Sequence, residues 1–146
     1  MVNTEPLARI SKIVSRLVIA HMVLFAGNAF AHEKLGTFYF VADHLPIVFI
    51  FTIVPVVAAF MVEKDKARQG AIVLQGAILA AIFYNIYDHF FIPSIPAFRP
   101  IPLIWNILYE GSFGALLIIE VFVMWHGIKL YRRMHSDKTP KDSNAL

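Results

Sequence analysis

Four stretches of the chain are apolar at nearly every position: roughly 13–31, 44–62, 70–92 and 103–128. A hydrocarbon core of ~30 Å takes about 20 helical residues, so each stretch is long enough, or nearly so, to cross one. Backbone groups in lipid must be satisfied within the protein, which leaves helices or a closed barrel. Barrel strands alternate between apolar and polar positions and these runs do not. The pattern therefore predicts an all-α integral membrane fold, a four-transmembrane-helix antiparallel bundle over residues 1–134. A polar, disordered tail is predicted for 135–146.

The connections differ in charge. Arg9, Lys12 and Arg16 precede the first stretch, and Lys64, Lys66 and Arg68 join the second to the third. Lys129, Arg132, Arg133, Lys138 and Lys141 follow the fourth, leaving only Lys34 and Arg99 elsewhere. The positive-inside rule then predicts a multi-pass protein of a cell or inner membrane with both termini in the cytoplasm and the 32–43 and 93–102 loops outside. A rival reading takes Asn28-Ala29-Phe30-Ala31 as a secretory cleavage site. His32 would then begin a three-span chain, with its free amine and imidazole able to chelate copper.

Local signals refine the elements. Asp43 is placed as an N-cap with Pro46 in the first turn behind it, and Pro55 should kink the second helix near mid-membrane. Phe38, Tyr39, Phe40, Trp105 and Tyr109 sit where interfacial aromatic belts form. Pro93, Pro96, Pro100 and Pro102 make the last loop stiff. Gly111 and Gly114 are expected to permit close helix approach.

Composition closes off other classes. Apolar residues make up 58% and charged residues 16%, against about 25% charged in a soluble domain. Mean hydropathy is +0.65. Disorder, collagen, coiled coil and free-standing nucleic-acid binding are excluded as the main reading, and the lipid bilayer is the first partner. With no cysteine, disulfides, thiolate metal sites, iron–sulfur ligation and a cysteine nucleophile are excluded too.

Ionisable residues at membrane depth need a partner or a purpose. His21, Asn28 and His32 share a narrow arc of the first helix, and Asn106, Glu110 and Glu120 lie within about 80° on the fourth. Asn85, Asp88 and His89 share a face of the third. At 1.5 Å per residue, His21, Glu120 and Gln75 fall at similar depth in the inner half, and Asn85 falls level with Glu110 nearer the outside. A carboxyl as deep as Glu120 is expected to be uncharged and hydrogen-bonded, with His21 as its partner.

At the outer mouth, His32, His44, His89 and Asp88, with Asp43 and Glu110 nearby, are candidate ligands for copper, iron or zinc. The competing reading is a set of wet helix caps that bind nothing. Glu110, Asp88, His89 and Tyr109 are the candidate catalytic groups. Three functions follow. The chain is a small subunit of a larger redox-type membrane complex, associated with other membrane subunits or with itself and handling a metal or protons. Alternatively, it is a stand-alone enzyme doing acid–base or metal-assisted chemistry on a lipophilic small molecule. The third reading is an oligomeric proton or ion transporter using His21, Glu120 and Glu110.

Overall fold

The computed structural model describes residues 6–35, 47–64, 66–91 and 102–136, and all regular structure among them is helical. Helix α1 spans Leu7–Leu35. Helix α2, Phe49–Glu63, opens with a five-residue π-helical turn at Phe49–Ile53 and continues as a ten-residue α-helix, Val54–Glu63. Helix α3 spans Ala67–Phe91 and α4 spans Leu103–Ser136. Three of the four, α1, α3 and α4, are long and apolar enough to cross a membrane; α2 is apolar but shorter.

The helices outrun the apolar stretches that predict them. Helix α1 begins before residue 13 and runs unbroken past Ala31, and α4 continues through His135 and Ser136, where the tail was expected to start. Asp43, His44, Pro46 and the 93–101 part of the last loop lie outside the described residues.

Contacts fix how the helices run past one another. Near the start of α1, Ser11 Oγ donates to the Val62 carbonyl close to the end of α2 (3.4 Å). Further along α1, His21 meets Phe51 at the start of α2. Against α4, Asn28 meets Ser112 while His21 meets Glu120. Against α3, α4 places Phe113 on His89, Glu120 on Asn85, and Gly127 beside Gln75. In each pair the contacts climb one helix as they descend the other.

The buried face of α1 carries Ile10, Val14, Val18, His21, Asn28, Ala31 and Leu35, spaced by threes, fours and a seven. That is one stripe of a 3.6-residue helix, and it includes His21 and Asn28 of the polar stripe read from the sequence, while His32 is only partly buried beside Ala31. The α4 stripe is equally regular: Tyr109, Ser112, Leu116, Glu120, Val123, Gly127 and Leu130. Glu110 and Asn106 fall outside it and are exposed, because Glu110 is turned about 100° from Tyr109.

The core has two parts. Toward the predicted cytoplasmic end, Ile10, Val14, Val18, Ala58, Val62, Leu74, Ile78, Val123 and Leu130 pack together. At the opposite end, Ala31, Leu35 and Tyr109 form a smaller cluster with Trp105 against it. Small residues set the α2–α3 distance. A Cβ at Gly70 would lie 2.7 Å from the Ala58 carbonyl oxygen and 2.7 Å from the Val62 nitrogen, so only glycine lets these backbones touch. The role expected of Gly111 and Gly114 is corrected here: among the described residues a Cβ at either meets nothing within 4 Å, because neither faces another described helix closely.

Candidate functional site

The polar side chains form a column on α1, α3 and α4. Its deepest station is built around Pro55. In an ordinary α-helix the N–H of residue 55 would donate to the Phe51 carbonyl, but proline has no N–H and its ring crowds that carbonyl. The π-helical turn just before Pro55 is the local response. The Phe51 oxygen lies 3.1 Å from Nε2 of His21. A carbonyl can only accept, so Nε2 carries the hydrogen. The ring of Phe51 is itself buried, stacked on Phe25 at 4.9 Å and met edge-on by Tyr84 at 5.6 Å.

The other imidazole nitrogen, Nδ1, faces Glu120 Oε1 at 3.7 Å, and both side chains are 0% exposed. Asn85 Nδ2 donates to the same Oε1 at 2.9 Å. Among the described residues, Nδ1 of His21 and Oε2 of Glu120 make no hydrogen bond. Thus His21 and Glu120 do meet, as their depths predicted.

Two depth assignments are corrected. Asn85 pairs with Glu120 rather than lying level with Glu110, and Gln75 packs on Gly127 rather than on Glu120. The reason is an offset between α3 and α4. The first turns of α4 reach beyond the end of α3 and pack against the end of α1 through Trp105 and Tyr109. Counting residues inward from the shared loop assumes that both helices begin at one level, and they do not.

One step outward, Asn28 Nδ2 donates to Ser112 Oγ at 2.9 Å, and that hydroxyl donates to the Tyr109 carbonyl at 3.0 Å. Both side chains are buried. Ser112 is absent from the candidates read from sequence, since a serine near glycines in a helix gives no signal of its partner.

The outermost station is centred on Tyr109, which is 3% exposed. His89 stacks on the ring of Phe113 at 3.8 Å, with Nδ1 3.2 Å from the Tyr109 hydroxyl. Its Nε2 lies 3.3 Å from Glu110 Oε2. Glu110 thus faces the Nε2 side of the ring and the Tyr109 hydroxyl the Nδ1 side, with the donor in each pair set by the tautomer. This chain links a buried phenol to a carboxylate whose side chain is 54% exposed. On the other flank, His32 meets Tyr109 edge-on at 4.8 Å, with Nε2 3.8 Å from Asp88 Oδ2.

All four candidate catalytic residues therefore gather at one end of the bundle. Two histidine–carboxylate pairs flank one tyrosine there. Among the described residues, no three His, Asp or Glu side chains converge as they would around a metal ion. His44, the remaining candidate ligand, lies outside them.

No family model matches the chain, and neither the curated proteins nor the solved structures include a match to it. The chemistry of the site rests on its own distances. Carboxylates, imidazoles, a phenol and amides in series can accept, hold and pass protons.

Proposed function

We propose that this chain is a multi-pass integral membrane protein whose four helices all span the bilayer as an antiparallel bundle, with both termini in the cytoplasm. We further propose that it is a small proton-handling subunit of a larger, redox-type membrane complex. The observation that carries this reading is the one-sidedness of the polar column. It runs from Glu110 and His89 inward to His21 and Glu120. Beyond them it meets Val14, Val18, Leu74, Ile78 and Val123, all 2% exposed or less.

Such a column favours loading a proton from one face. It does not favour carrying one across a single bundle, because among the described residues no imidazole or carboxyl is buried in the packed apolar half, where the polar side chains are Ser11, Ser15 and Gln75. The outward faces suit lipid or neighbouring subunits: Val23, Phe83, Phe90, Phe91 and Trp125 are each about two-thirds exposed or more. The short α2 fits a span only if residues before Phe49 continue it.

Topology is tested with reporters. A fusion after Leu146 is expected to score cytoplasmic, and one within 93–102 external. A cytoplasmic score for the loop would overturn the four-span arrangement, and so would an intact mass beginning at His32.

The subunit role is tested by purification from native membranes in mild detergent, followed by mass spectrometry and redox spectroscopy. A fixed set of membrane partners, with a redox cofactor among them, is expected. Recovery of the chain alone, as a monomer or homo-oligomer, would overturn the subunit role.

A further inference from the structure

The proton-handling reading gains a specific site from the geometry around Pro55. We propose that His21 and Glu120 together hold one exchangeable proton, on Nδ1 or on the carboxyl. The Nε2–H of His21 stays pinned to the Phe51 carbonyl, which Pro55 leaves without its usual helical donor. This deepens the proton-handling part of the proposed function and does not depend on the identity of any partner.

The isolation of the pair supports a count of one. On α1, His21 is the only titratable side chain between Arg16 and His32, and on α4 Glu120 is the only one between Glu110 and His126. Helix α2 has none before Glu63, and α3 has only Tyr84 and Tyr87 between Arg68 and Asp88. Lys, Arg, Asp and a second imidazole are thus absent from this level of the described helices. A net charge in a fully buried apolar setting is strongly unfavourable. Zero net charge is reached in two ways, carboxyl with neutral imidazole or carboxylate with imidazolium, and both hold one proton.

The geometry also sets where that proton moves. Because Nε2 is committed to Phe51, the lone pair that faces Glu120 is on Nδ1. Shortening the 3.7 Å separation by roughly 0.5 Å brings the two into hydrogen-bond range. In the transfer the carboxyl O–H bond breaks and leaves its electron pair on oxygen, while the Nδ1 lone pair forms the new N–H bond. The pair is neutral before and after. Asn85, donating to Oε1 at 2.9 Å, orients the carboxyl and supports its ionised form. Pro55 is a positioning residue, acting through the Phe51 carbonyl.

The test uses the full chain in lipid nanodiscs with 15N-labelled histidine. His21 is identified as the resonance lost in His21→Gln. In the unmutated protein its Nε2 is expected to stay protonated at every pH, with only Nδ1 changing state. Infrared difference spectra should show a carboxyl band that falls as Nδ1–H rises and that disappears in Glu120→Gln. In Pro55→Ala the restored N–H competes for the Phe51 carbonyl, and a second population with Nδ1–H and bare Nε2 is expected.

An unprotonated Nε2 in the unmutated protein would overturn the proposal; should His21→Gln fail to fold, the resonance is assigned by selective labelling of His21–Met22, a pair that occurs once in the sequence. Two protons on His21 while the carboxyl band persists undiminished would overturn the count of one. A Pro55→Ala spectrum identical to that of the unmutated protein would overturn the role of Pro55. These outcomes are independent of purification. A partnerless chain with the expected spectra loses only the subunit role, and a partnered chain with bare Nε2 loses only the site.

Discussion

Replacing Gly70 with alanine is expected to destabilise the bundle by about 2 kcal/mol, the middle of the range for overpacking a close contact. The added Cβ would sit 2.7 Å from two backbone atoms of α2 and 2.8 Å from Met61 Cβ. Backbone cannot rotate away as a side chain can, so α2 and α3 must separate. The link between them is short: α2 ends at Glu63 and α3 begins at Ala67. Separation at Gly70 therefore loosens Ala58, Val62 and Ala71, which pack around it. Alanine at Gly76 or Gly111 is the control, because a Cβ there meets nothing within 4 Å among the described residues. Those changes should be neutral or stabilising by up to ~1 kcal/mol through helix propensity. Thermal or denaturant unfolding in detergent, followed by circular dichroism, gives the comparison. If Gly70→Ala unfolds like the controls, the close α2–α3 contact is wrong.

The glycines show where sequence reasoning reaches its limit. Apolar length predicted α1, α3 and α4, because a run too apolar for a soluble helix has few other fates. Helical periodicity also put His21, Asn28 and His32 in one arc of α1, of which the first two lie on the buried stripe with Val14 and Val18 and His32 is partly buried. Glu120 was legible as an interior residue because its neighbours on either side are apolar for several turns.

Contacts between helices were less legible, since they depend on offsets that no single helix records. Gly111 and Gly114 look like a contact motif, but a Cβ at either meets nothing within 4 Å among the described residues, whereas Gly70 near a charged link gives no such sign. Asn85 was assigned to the wrong glutamate for the same reason: α4 starts well beyond the end of α3. Glu110 shares an arc with Glu120 on an ideal helix, yet near the helix end a carboxylate can stay at the surface and still reach His89. Pro55 announced a disturbance in α2. The carbonyl it releases toward His21 became visible only with α1 packed beside it.

The second large effect is expected at His21 and Glu120. Glu120→Leu removes the acceptor of the partly buried Asn85 and the group facing the fully buried Nδ1 of His21. His21→Leu removes the donor to the Phe51 carbonyl. Deleting one member leaves its neutral partner groups buried and unsatisfied, at about 1–3 kcal/mol for each such group. Each single change is expected to reach that magnitude.

The double change strands no titratable group and replaces the pair with apolar volume beside Val18 and Val123. Its loss should fall short of the summed single losses by roughly 1–3 kcal/mol, the range for directly coupled residues. Glu120→Gln should cost only ~1 kcal/mol, since the amide oxygen still accepts from Asn85 and the site stays uncharged. The four variants and the unmutated protein can be compared by unfolding in one detergent at one pH. Additive single losses would mean that the two side chains do not interact. A Glu120→Gln loss as large as that of Glu120→Leu would mean that the site requires a charge, against the one-proton assignment.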